Sequence, residues 1–60
     1  MTLTFAQAAV EAQTMNWSDT TASVGFMVSQ PNQADQVIHF DRNGNAVGHE
    51  VDGYYFPFTS

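Results

Sequence analysis

QVIHFDRNGNAVGHEVDGYYFPF, from Gln36 to Phe58, holds two turn signals separated by the length of one strand. Asn43-Gly44 is a pair favoured at the centre of a two-residue type I′ hairpin, in which both central residues take a positive φ. With that turn, Phe40 faces Val47 and Ile38 faces His49. Asp52-Gly53 is a second signal of the same kind. It sets Val51 opposite Tyr54, His49 opposite Phe56 and Val47 opposite Phe58. The two turns are placed independently and agree. Ile38, Phe40, Val47, His49, Val51, Tyr54, Phe56 and Phe58 fall on one face of a three-stranded meander. Val37, His39, Asp41, Ala46, Gly48, Glu50, Tyr55 and Pro57 fall on the other. So large a difference in polarity between the faces specifies the register, because a slip of one residue would turn every apolar side chain outward. Pro57 requires the last strand to lie at an edge, since proline donates nothing to a ladder.

Upstream, Thr21 to Gln30 alternates in the same way. Ala22, Val24, Phe26 and Val28 share one face, and Thr21, Ser23, Gly25, Met27 and Ser29 share the other. Gly25 weakens this strand and is the expected place for a bulge. Pro31 to Asp35 is a polar loop that ends it. Further back, the period changes to that of a helix. Thr4 and Gln7 have the spacing of a capping box, with Leu3 where a hydrophobic staple sits. Phe5, Ala8, Ala9, Ala12 and Met15 then form one apolar stripe. Its three alanines allow close approach to a sheet. The helix frays near Asn16, and Trp17 to Thr20 reads as a connection. The predicted fold class is α+β: a single domain over residues 1–60 with one N-terminal helix packed on a four-stranded antiparallel sheet, in the order α-β-β-β-β.

Composition narrows the possible functions. Sixty residues with 43% apolar content and no cysteine must build a core from ordinary packing or from an oligomer interface, without disulfides or thiolate metal sites. Six acids (Glu11, Asp19, Asp35, Asp41, Glu50, Asp52) stand against one base, Arg42, for a net charge of −5. That balance lacks the basic footprint needed to bind phosphates directly or to sit on an anionic membrane. It steers the chain towards basic partners, and it also keeps a small protein soluble. The start of the chain has no basic n-region, and no apolar stretch is long enough to span a bilayer, so the expected location is a cytoplasm.

Chemical motifs are sparse. His39 and His49 with nearby carboxylates suggest a metal-dependent module, but the register sends the two rings to opposite faces. Asp41, Asn43, Asn45 and Asp52 have the spacing of several EF-hand ligands. Ala46 stands where that loop needs glycine, however, and strands flank the segment, so a hairpin turn explains it. Serine, histidine and acids are present with no nucleophile elbow or similar local signature, and no enzyme activity, catalytic residue or cofactor is assigned. The sheet face away from the helix, with Val37, His39, Asp41, Glu50 and Tyr55, is the expected contact surface. Val10, Met15 and Trp17 offer a smaller patch where the helix ends.

In size, acidity, lack of cysteine and α+β pattern, the whole chain resembles the small phage-encoded inhibitors of host defence known as anti-CRISPR proteins. The resemblance is one of type, without a shared motif. It implies a protein that works in the host cytoplasm and occludes a basic nucleic-acid-binding surface of a defence complex, such as a CRISPR effector subunit, as a monomer or homodimer. Asp41, Glu50, Asp52 and Tyr55 are the expected partner-binding residues, with Asp35 and Asp19 as outlying charges. A structural or accessory subunit that self-assembles through an apolar, aromatic sheet face is the alternative.

Overall fold

A computed structural model describes residues 2–18 and 22–58. The chain runs β1 (Leu3–Thr4), α1 (Phe5–Thr14), β2 (Val24–Ser29), β3 (Gln36–Phe40), β4 (Ala46–Val51) and β5 (Tyr54–Pro57). The strands form one sheet in the order β1-β2-β3-β4-β5. The class is α+β, as the residue pattern indicates, but the sheet has five strands and is mixed. Leu3 and Thr4, expected to do no more than staple and cap the helix, pair in parallel with Val28 and Ser29. A parallel neighbour requires a long crossover, and the segment containing α1 supplies it. Two residues are too few to show an alternating pattern, which is why β1 escapes a reading of the sequence.

α1 begins with the capping box. The Gln7 N–H donates to Thr4 Oγ1 (3.1 Å), and the Thr4 N–H donates to Gln7 Oε1 (3.0 Å). At its other end the Met15 N–H donates to the Glu11 carbonyl, and the Trp17 indole N–H donates to the Ala12 carbonyl (2.6 Å). Terminal carbonyls are thus satisfied without a glycine cap. Trp17 is folded against the core and does not join Val10 and Met15 in an exposed patch.

Ala8 and Ala12 are fully buried against Val28, Ile38 and Phe40, with Leu3, Ala9, Trp17, Val24, Phe26 and Ala46 packed around them. Small side chains on the helix bring it close enough for the Phe40 ring to be enclosed. Phe5 meets that ring edge-on at 5.1 Å.

The hairpins correct the expected register in one place. Asp52 and Gly53 both take a positive φ (52° and 84°), as a type I′ turn requires, and Val51 faces Tyr54, His49 faces Phe56. Asn43-Gly44 behaves differently, because Gly44 alone takes a positive φ (82°). The Gly44 N–H donates to the Asp41 carbonyl and the Asp41 N–H to the Asn45 carbonyl, so the loop has three residues instead of two. This three-residue loop moves the pairing by one, and Phe40 faces Ala46 in place of the expected Val47. Val47 is then the extra residue of a β-bulge. Beyond it, His39 faces Gly48 and Ile38 faces His49, as the two-turn reading expects. Ala46, expected on the outer face, packs against the core. The bulge expected at Gly25 is absent, and β2 pairs with β3 without a break from Val24 to Val28.

The helix does not span the sheet. Ten residues make a rod of about 15 Å, and the pairing of β1 with β2 tethers its start at that edge. α1 packs against β1, β2 and β3. Val51, Tyr54, Phe56 and Phe58, on the same side of the sheet, remain 47%, 71%, 47% and 49% exposed. Among the described residues, no helix is long and apolar enough to cross a membrane.

Candidate functional site

The face of the sheet away from α1 carries a row of polar groups. Strand alternation puts Ser23, Gly25 and Met27 of the β2 segment beside Val37 and His39 of β3, then Gly48 and Glu50 of β4, then Tyr55 and Pro57 of β5. Val37 faces Glu50, so Glu50 is a diagonal neighbour of His39, and the His39 Nε2 lies 2.7 Å from Glu50 Oε1. On the other side of the ring, Nδ1 lies 3.2 Å from Ser23 Oγ. The Tyr55 ring meets His39 edge-on at 4.9 Å. It lies over Gly48, where any Cβ would strike it, and its hydroxyl donates to the Val47 carbonyl (3.3 Å). In the neutral tautomer whose Nε2–H donates to the Glu50 carboxylate, Nδ1 is the acceptor for the Ser23 hydroxyl; in the imidazolium both nitrogens donate.

Hydroxyl, imidazole and carboxylate in this order are the parts of a hydrolytic relay. His39 and Glu50 lie on paired strands, whereas Ser23 lies just before β2, whose pairing begins at Val24. A depression lined by Ala6, Gln7, Val10 and Glu11 lies on the outer side of α1, across the molecule from this row. Half-buried on the sheet face, the relay fixes one orientation of the His39 ring and links β3 and β4 to Ser23, just before β2.

The second histidine lies on the other side. His49 stacks on Phe58 (5.5 Å, 12°) and tilts against Phe56 (5.7 Å). The two imidazoles are therefore separated by the sheet and share no site. Among the described residues, no group of three His, Asp or Glu side chains is arranged to hold a metal ion.

The acids expected to bind a partner are divided between the two ends of the sheet. Asp35 precedes β3 and Asp52 sits in the β4–β5 turn, so both lie at the end where β3 begins and β4 finishes. Glu50 and Tyr55 face each other near that end, on the helix-free side. Asp41 lies at the opposite end, in the β3–β4 turn. Its Oδ1 accepts from the Asn43 N–H (2.9 Å) and the Asn45 N–H (3.0 Å), so the EF-hand-like spacing is that of a side-chain-locked turn. Asp19 is outside the described residues. Arg42, the chain's one basic residue, is at the Asp41 end, with its guanidinium 5.7 Å from the Trp17 ring and Nη2 donating to the Ser18 carbonyl (3.4 Å).

Two features go beyond the sequence reading. Alternation puts Ser23 on the outer face, but its neighbours depend on how β2 joins the meander, and the Gln30–Gln33 turn, with Asn32 at a φ of 61°, does not by itself set that register across the longer loop. The exposure of Val51, Tyr54, Phe56 and Phe58 depends on the reach of α1, which alternation does not encode. No family model matches the chain, and neither a curated protein nor a solved structure is similar enough to it to show a relationship.

Proposed function

We propose that this chain is a small acidic protein-binding inhibitor that covers a basic, nucleic-acid-binding surface of a partner, in the manner of the anti-CRISPR proteins it resembles in composition. The observation that supports this reading most is the distribution of charge around the uncovered sheet. Asp35, Glu50 and Asp52 gather at the end that carries Tyr54, while Arg42 is held at the far end by Trp17 and Ser18. A cationic groove approaching the acidic end meets no lysine or arginine side chain there, since Arg42 is the one such residue, and attraction speeds encounter at low salt. Nucleic acid and this domain then compete for one surface.

Capture of the partner from cell lysate at low salt, followed by competition with labelled nucleic acid, tests the reading. The expected result is displacement of the nucleic acid, weakening steeply as salt rises, because charges beyond about 8 Å are screened at physiological ionic strength. Combined Asp35→Lys, Glu50→Lys and Asp52→Lys substitutions should abolish capture. Retention of the same partner by that triple variant would sink the proposal.

The exposed Val51, Tyr54, Phe56 and Phe58 also favour a second reading, an accessory subunit that self-assembles through this face. On that reading sedimentation gives at least a dimer mass, which persists or grows as salt is raised.

A further inference from the structure

The sheet face at β4 and β5 is an apolar surface with a particular chemistry. The His49 ring contacts those of both Phe56 and Phe58, and Val51 and Tyr54 extend this surface to the β4–β5 turn. Asp52, in that turn, adjoins Val51 and Tyr54 and gives the surface an acidic rim. Resting on the function proposed above, we infer that this face is the docking site, and that it takes an arginine-bearing segment of the partner, with the guanidinium lying on the rings and paired with Asp52.

Three observations favour this occupant. First, aromatic faces attract cations, and a planar guanidinium stacks on a ring while offering hydrogen bonds to a carboxylate in a way that an ammonium does not. The chain itself already makes this kind of contact, with Arg42 over Trp17 at its other end. Second, a second copy of this chain is a poor occupant. It would bring another Asp52 and a net charge of −5 against the same rim, and its one arginine is engaged elsewhere. Third, strand addition along β5 is obstructed. The Phe58 N–H donates to the Val47 carbonyl, so alternation turns the backbone groups of Tyr55 and Pro57 to the free edge. Pro57 has no N–H to offer there, and a proline on an edge resists pairing with a further strand. The partner therefore docks on the face, not along the edge.

Titration of the isotope-labelled full chain with nona-arginine and with nona-lysine, two probes of the same charge, tests the inference by amide chemical shifts. The arginine probe should shift amides of residues 49–58 and bind about tenfold more tightly than the lysine probe, the ratio expected for roughly 1.4 kcal/mol of additional ring contact. Tyr54→Ala with Phe56→Ala should remove that preference while the melting temperature stays near that of the wild type. Asp52→Asn, which tolerates the turn's positive φ, should weaken arginine binding with the rings intact. Equal affinity for the two probes, shifts centred on Asp41 or on the outer side of α1, or self-association that occupies residues 49–58 would each overturn the inference. Equal binding at Asp35, Glu50 and Asp52 would do so while leaving the basic-surface reading standing. That reading falls on its own test, capture of the partner by the charge-reversed variant.

Discussion

β2–β3 and β4–β5 are strand pairs with the same alternating apolar pattern and opposite fates. Val28, Ile38 and Phe40 are buried beneath Ala8 and Ala12, whereas Val51, Tyr54, Phe56 and Phe58 stand about half exposed or more. The difference lies in what covers them. Alternation orients side chains to one side of a sheet, but burial requires a second layer, and α1 reaches no further than the strands beside its own tether. An apolar face continued beyond its cover is a surface at which another molecule displaces water, and the largest exposed patches of monomers are often functional for that reason.

Paired alanine substitutions test this contrast most directly. Phe40→Ala should cost about 3–5 kcal/mol, as the loss of an enclosed ring does, and leave a chain of this size close to unfolded in urea titration. Phe56→Ala should change stability by no more than about 0.5 kcal/mol, the usual range for surface sites. Comparable losses at the two positions would break the comparison and make the β4–β5 face part of the core.

The two turns sharpen it at the next level. Gly44 and Gly53 share the left-handed conformation, which costs a residue with a Cβ about 1–2 kcal/mol. At Gly44 a Cβ would also strike the Gln13 side chain and the Ala9 carbonyl, while at Gly53 it meets open space. Thermal melts should therefore rank Gly44→Ala as more damaging than Gly53→Ala. The reverse order would mean that the three-residue loop does not lie against the helix.

Smaller effects probe the helix itself. Thr4→Ala removes the acceptor for the Gln7 N–H and should cost about 1 kcal/mol by the same melts. Arg42→Ala removes the ring contact to Trp17 and should cost about 0.5–1 kcal/mol, with quenching of the indole fluorescence altered. A shift of Trp17 fluorescence without loss of stability would show that this contact positions Trp17 and adds little to the fold.

Much of the fold was legible where local chemistry is decisive. Asp52-Gly53 admits one tight turn, and Thr4 with Gln7 specifies a helix start through two reciprocal hydrogen bonds. The β3–β4 hairpin was legible only in part. Asn-Gly suits a type I′ turn, but Asp41 accepts two backbone N–H groups with its carboxylate, and that bonding selects the longer loop. The bulge at Val47 then returns the pairing to the expected register, so an error at the turn left Ile38 opposite His49. Of the expected contact residues, Glu50, Asp52, Asp35 and Tyr55 share one end of the sheet. Asp41 does not, because the two turns of a three-stranded meander lie at opposite ends of the strand they share.

In this chain, periodicity and turn residues alone specify the helix, the meander and, outside the β3–β4 turn, which side chains share a face, because each of these depends on backbone conformation within a few residues. The parallel strand at Leu3–Thr4, the meeting of Ser23, His39 and Glu50, and the line between covered and bare sheet all depend on contacts between distant segments. No local rule sets how far a ten-residue helix reaches once its first turn is tied to β2. That reach leaves the aromatic face of β4 and β5 open to a partner.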